Sequence, residues 1–287
     1  MSDVNAVGHG AATGFGLDLG GGRDAVVVFA AGDHHVGAAT GRRQGHLPAQ
    51  TPAAPGDQDH PVGQIEEPVG ETHGPIVAPM QLLLVRHALP LRTEFGQGSN
   101  PELAPLGWEQ ARRLPGALAR FPVSRLVSSP QLRASQTAQP VAAALGMDAD
   151  IDERLAEYDR GMSHYIPLEE VRAERHGDWE RMSQGRLPES VDVEAFRARV
   201  SAGLRDVVAA AGHDDTVVLF THGGVINVVL HEVLGTARPL SFPIDYASVT
   251  TLRHSRSGAF TVGGVNTIEH VWDLLPRNAT SRSRQGS

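Results

Sequence analysis

A three-layer α/β/α sandwich around a mostly parallel, mixed sheet is the fold this sequence predicts, and three observations carry it. Short aliphatic runs at 82–85, 125–128 and 216–220 are rich in strand formers and too short for helices. Between them lie longer segments whose apolar residues recur at helical spacing, and strands alternating with helices imply parallel strands covered on both faces. Late in the chain, 248–252 and 259–262 flank a Ser-Gly turn, an antiparallel pair that makes the sheet mixed.

The elements follow in order. Leu82-Leu83-Leu84-Val85 is a buried strand that delivers Arg86-His87 to its carboxyl end. A polar loop over 92–101 leads to a helix with Pro105 in its first turn and Leu106, Ala111, Leu114, Leu118 and Phe121 on one face, which Pro115-Gly116 should kink or break. Strand 125–128 precedes a second helix, with Ser129 as N-cap, Pro130 at its first position, an apolar face of Leu132, Ala138, Val141, Ala142 and Leu145, a bend at Pro140, and Gly146 as C-cap. The 147–189 interval is irregular, with a short helix near 168–175, and reads as a cap over a site. Phe196, Val200, Leu204, Val208 and Ala211 mark a long amphipathic helix. Strand 216–220 then ends in Thr221-His222-Gly223-Gly224, and a helix over 225–234 closes at Gly235.

Composition divides the chain of 287 residues near Met80. Residues 1–79 hold 15 of the 32 glycines and 7 of the 19 prolines, and carry a net charge of −6 against −8 for the whole. No apolar periodicity is sustained over 32–79, so that part cannot bury enough surface to offset its ordering entropy. Residues 26–29 could form one strand, but without a neighbour to pair with. We therefore expect a low-complexity N-terminal extension at 1–79, disordered or non-native with translation starting at Met80, a domain at 80–275 and a disordered tail at 276–287. Asp33-His34-His35 in the extension could ligate a metal, but no carboxylate cluster supports it and a solvated loop is the expectation.

There is no cysteine, which excludes disulfides, thiolate catalysis and cysteine-ligated zinc. All 25 basic residues are arginine, which excludes Schiff-base and P-loop lysine chemistry. The acidic balance and the lack of a basic tract give no reason to expect nucleic acid. No segment is long and apolar enough to span a membrane, and a cytoplasmic protein is the default expectation.

Two strands, one ending Arg86-His87 and one ending Thr221-His222, bring their histidines to the same edge of the sheet, where open α/β sheets bind ligands. Arg133 stands in the first turn of a helix starting at that edge. Two arginines and two imidazoles converging there suit a phosphate dianion: guanidinium groups clamp oxygens, and a neutral imidazole can attack phosphorus.

These residues resemble the histidine phosphatase superfamily, in its phosphoglycerate mutase-like branch. The Leu-x-Arg-His-Gly motif of that family matches Leu84-Val85-Arg86-His87-Ala88 apart from the alanine, its Ser-x-Leu-x-Arg-Ala-x-Gln-Thr-Ala segment matches Ser129 to Ala138, and its Thr-His-Gly-Gly matches Thr221 to Gly224. A helix start is recognisable in Leu103, Gly107, Gln110 and Ala111, and Asn266 with His270 resembles a late Asn-x-x-x-His strand. The resemblance covers 80–275 and implies a phosphoglycerate mutase-like fold. It also implies His87 as the nucleophile, Arg86, Arg133 and His222 as holders of the phosphoryl oxygens with His222 also catalytic, and Glu157, in Leu155-Ala156-Glu157, as the proton donor. Glu153 and Asp159 are nearby alternatives for that acid.

No cofactor or metal is expected, since arginines do the neutralising, and the expected partner is a small phosphomonoester. Hydrolysis is favoured over phosphoglycerate mutase-type transfer, because the longer segments characteristic of the mutases are missing. A non-catalytic phospho-ligand module is the third reading, opposed by the intact His87, Arg133 and His222. Departures from the family pattern are Ala88, Leu89-Pro90-Leu91 in place of its threonine and asparagine, and Ala104 in place of a helix cap, the last worth about 1 kcal/mol. His164, His176, His213, His231 and His254 carry no motif, and Trp108, Trp179 and Trp272 are expected as core anchors. Nothing in the sequence fixes the oligomeric state.

Overall fold

The computed structural model describes residues 79–166, 170–171 and 177–278. The Asp33-His34-His35 cluster, the 26–29 segment, most of the 168–175 helix and the chain beyond 278 lie outside the described residues. Residues 276–278 form a helical turn, with Arg277 paired to Asp245, so the folded chain runs past the boundary expected at 275.

Six strands form one sheet in the order β3-β2-β4-β1-β5-β6. They are β1 (Met80–Arg86), β2 (Val123–Ser128), β3 (Ala149–Ile151), β4 (Thr216–Thr221), β5 (Val249–His254) and β6 (Phe260–Thr267). β1 runs parallel to β4, β4 to β2 and β2 to β3, while β5 and β6 are antiparallel, so the mixed sheet matches the expectation. Only β3 had no signal in the sequence, being three residues at the edge.

Alternation along β1 builds the layers. Leu82 and Leu84 pack with the cluster of helices α4 (Val193–Ala209) and α5 (Gly223–Leu234). Leu83 and Val85 pack on the other face, with α1 (Pro105–Leu118) and α2 (Leu132–Leu145). A strand buried on both sides must be apolar at every position, which is why this stretch reads as an unbroken aliphatic run. Each such side chain contributes roughly 1.5–3 kcal/mol of burial free energy. Helix α3 (Trp179–Ser183) is short and belongs to the segment over the sheet edge.

Pro115 does not break its helix, and both Pro115 and Pro140 lie inside continuous helices. Proline costs α1 one hydrogen bond, but Ala111, Leu114 and Leu118 are essentially fully buried, and packing holds the helix together. In α2 the N-cap is Gln131, not Ser129, and Leu132 and Leu145 are exposed. The buried face of α2 is Arg133, Ala134, Thr137, Ala138 and Val141, because the helix turns Arg133 inward. Its first N–H, from Leu132, donates to Asn100 Oδ1 at 2.7 Å, a cap supplied by a distant loop. Gly146 closes α2 and Gly235 closes α5, both in the left-handed region, as expected.

Candidate active site

Three parallel strand ends lie side by side. Arg86 is in register with Thr221 across β1 and β4, and Ser128 with Phe220 across β2 and β4. The backbone pairing continues one residue further, with His87 N–H donating to Thr221 O at 2.8 Å and Ser129 N–H to Phe220 O at 2.9 Å. This sheet edge therefore sets His87, His222 and Ser129 as neighbours. The imidazoles of His87 and His222 are 5.2 Å apart between centroids.

His87 is buried, and its Nδ1 lies 2.8 Å from the Ala88 carbonyl. A carbonyl only accepts, so Nδ1 carries the proton and Nε2 keeps its lone pair in the neutral ring. Burial, followed by the charges of Arg133 and Arg86, pushes the His87 pKa well below its usual value. Ala88 N–H is held by Thr137 Oγ1 at 2.9 Å, and Ala88 is not in the left-handed region, so the missing glycine costs nothing there.

The motif residues of α1 brace the loop behind His87. Gln110 accepts from Leu89 N–H at 2.9 Å and donates to Leu274 O at 2.8 Å, while Ala104 N–H donates to Leu89 O. A Cβ on Gly107 would lie 2.0 Å from Leu89 O, so α1 can approach this loop only through a glycine. Ala104 has no capping side chain; its position is fixed through its backbone.

Arg86 donates from Nη1 to Ile244 O and lies 3.9 Å over the Tyr246 ring. Arg133 is fully buried. Its Nη2 contacts both oxygens of Asp159 at 2.9 and 2.8 Å, its Nη1 donates to Ser99 O, and its plane sits 4.6 Å from the Tyr165 ring. Burial alone would lower the Arg133 pKa, but Asp159 outweighs it and holds the guanidinium charged. Asp159 also accepts from Gln131 Nε2 at 2.8 Å.

Glu157 lies against the start of α5, its Oε2 accepting from Gly224 N–H at 2.8 Å and its Oε1 from Tyr158 N–H at 3.1 Å. Burial, reinforced by the charge of Asp159, raises its pKa to about 7. A Cβ on Gly224 would fall 2.4 Å from Glu157 Oε1. The double glycine does allow close approach, and the group held at Gly224 N–H is the Glu157 carboxyl. His222 is fully buried, with Nε2 2.7 Å from Ser129 Oγ and Nδ1 without a partner among the described residues. Burial, Arg133, His87 and Arg86 keep its pKa well below the usual value. Arg86, His87, Arg133 and Glu157 line one cavity of about 830 Å³.

The model of the histidine phosphatase superfamily, branch 1, matches residues 82–267. The chain belongs to that superfamily. This histidine phosphatase is 30% identical over 203 residues to a Hydrogenobacter thermophilus protein with the provisional name phosphoserine phosphatase 2, covering 68% of this chain and 98% of that one. It is 31% identical over 198 residues to the bifunctional protein Rv2228c of Mycobacterium tuberculosis, covering 66% of this chain and 54% of that protein, so it spans about half of that relative. Among solved structures, the mycobacterial glucosyl-3-phosphoglycerate phosphatase Rv2419c with inorganic phosphate aligns with a TM-score of 0.53 and 24% identity, over 65% of this chain and 97% of that one. The shared fold is the phosphoglycerate mutase-like α/β sandwich.

All five sequence-predicted residues of this histidine phosphatase come together: Arg86, His87, Arg133 and Glu157 on the cavity wall, and His222 buried beside His87. Glu153, the rival acid, is instead paired with Arg160 at the surface. Sequence reasoning missed three contributors. Ser129 reads as a helix cap but bonds His222; Asp159 reads only as a rival acid but clamps Arg133; Tyr165 carries no signal. The Ser129 and Asp159 signals were spacing signals, each within two residues of a motif residue. Two tryptophans also depart from expectation: Trp272 is 55% exposed and Trp179 lines the cavity, as does His164. Asn266 and His270 brace the segment beneath Arg86 by bonds to Asp245 and to Ala247 O.

Proposed function

We propose that this histidine phosphatase is a metal-independent phosphomonoester hydrolase working through a phosphohistidine at His87. The observation that carries the reading is the neutral His87 ring, with its proton fixed on Nδ1 by the Ala88 carbonyl and a lone pair left on Nε2 between two arginines. His87 Nε2 attacks phosphorus as the bond from phosphorus to the ester oxygen breaks. The electron pair leaves on that oxygen, which takes a proton from Glu157. Glu157, now a carboxylate, takes a proton from water, whose oxygen attacks the phosphohistidine and returns the bonding pair to Nε2. Arg86 and Arg133 hold the phosphoryl oxygens while charge shifts among them.

His222 is a third donor. His222 Nε2 shares a hydrogen bond with the Ser129 hydroxyl; when the hydroxyl donates, the imidazole proton sits on Nδ1, the buried atom without a partner among the described residues. A phosphoryl oxygen would satisfy it, and likewise Arg133 Nε. The relative named as a phosphoserine phosphatase supports hydrolysis, while others named as probable phosphoglycerate mutases make transfer the second reading, which the assay below separates. A cytoplasmic location is part of this reading.

The test is His87→Ala. It should abolish release of phosphate from an aryl phosphate with the melting temperature unchanged, and the wild type mixed briefly with labelled substrate should yield an acid-labile phosphoenzyme. Hydrolysis surviving in the variant would overturn the assignment. Isomerised rather than hydrolysed 3-phosphoglycerate would make the protein a mutase, and loss of activity with EDTA would end the metal-free mechanism.

A further inference from the structure

We infer that the substrate is the phosphate monoester of an uncharged, apolar alcohol, aliphatic or aromatic, whose body fills the part of the cavity beyond the arginines. The inference rests on the phosphatase reading above and extends it to the leaving group. A phosphoryl group occupies only a small part of about 830 Å³, and a site of that size suits a drug-sized molecule. Beyond Arg86 and Arg133 the wall carries Met162, Ile166, Trp179, Met182 and Phe242, all partly buried and from three separated stretches of chain. Two thioethers, an indole and a phenyl ring make an adaptable apolar surface. Ile244, only 6% exposed, joins this surface to the cradle, since its carbonyl holds Arg86.

Charge points the same way. A substrate bearing a carboxylate needs a second cation once the phosphate has used Arg86 and Arg133. Among the described residues the other basic side chains on this wall are Arg160, paired with Glu153, and His164, whose Nδ1 lies 3.0 Å from Ser163 Oγ. Asp178, beside Trp179 on the same wall, and Asp159 would repel a carboxylate. Met162, Ile166, Trp179 and Met182 lie within the irregular 147–189 cap, where no sequence motif announced them: an apolar wall needs bulk without fixed geometry.

Two series test this on the intact protein. Linear alkyl phosphates, methyl to hexyl, are assayed for hydrolysis, and the matching alkyl phosphonates are titrated calorimetrically. Both kcat/KM and phosphonate affinity should climb roughly three- to fourfold per methylene until the cavity is filled, and butyl phosphate should be preferred to phosphoserine and 3-phosphoglycerate. Trp179→Ala and Met182→Ala, at unchanged melting temperature, should each flatten the climb. A flat series, a preference for phosphoserine, or a climb that neither variant alters would overturn the inference. The two readings fail separately. Hydrolysis with flat affinities removes the apolar lobe and leaves the phosphatase; rising phosphonate affinity without hydrolysis removes the phosphatase and leaves the lobe.

Discussion

Burial acts in opposite directions on the two kinds of ionisable group in this site. It lowers the pKa of His87 and His222, keeping them neutral, and raises that of Glu157 to about 7, keeping a proton on it at the pH where the histidines have none. For an ester whose leaving group needs protonation, kcat/KM should fall above pH 7 as Glu157 loses its proton. Glu157→Gln should remove that limb and lower the rate roughly 100- to 10,000-fold; a limb unchanged in the variant would assign the acid elsewhere. The same shift is a stability statement. Between the usual 4.5 and about 7, folded protein binds more protons at this carboxyl than unfolded chain, so its contribution to stability is lost as pH rises through that window. Glu157→Gln should therefore gain melting temperature over wild type at pH 8 and not at pH 4. Asp159→Asn tests the clamp: with its charge gone, the Glu157 limb should move to lower pH, and KM should rise as Arg133 loses its bidentate acceptor.

Helices in this protein locate site groups through close approach as much as through side chains. α5 meets Glu157 at Gly224, where an added Cβ would sit 2.4 Å from Oε1, while at Gly223 the nearest atom, Arg86 Nε, would be 3.6 Å away. Gly224→Ala should cost activity by displacing the acid, and Gly223→Ala should be tolerated; kcat/KM of the pair measures the contrast. α1 meets the His87 loop at Gly107 against backbone, which cannot swing aside, so Gly107→Ala should destabilise the fold by about 1–3 kcal/mol in chemical denaturation. Gly107 and Gln110 were legible in sequence as motif positions, but their purpose was not, since Leu89 and Leu274 reach them only in the folded chain. The same limit explains Ser129 and α2. A serine directly before a proline, as in Ser129-Pro130, reads as a cap, and only the pairing of β2 with β4 shows that its hydroxyl faces His222.

At the scale of the molecule, the described chain is one sheet with two cores on its faces, and the site lies where three parallel strand ends meet. No described helix is long and apolar enough to cross a membrane. On composition we propose that residues 1–79 are dispensable: a chain starting at Met80 should keep the melting temperature and the kcat/KM of the full chain, and a loss of either would assign the extension a part in the fold or the site. The sequence by itself determined the sandwich, because strands buried on both faces must be continuously aliphatic and helices packed on one side must be amphipathic. It also named Arg86, His87, Arg133 and His222, whose types suit phosphoryl chemistry, and Glu157 through the family resemblance alone. Only the tertiary structure decided which hydroxyl bonds His222, which carboxyl clamps Arg133 and which side chain meets the double glycine. Those contacts span up to 93 residues of chain, and distance in space between groups far apart in sequence is set by packing, which no local pattern encodes.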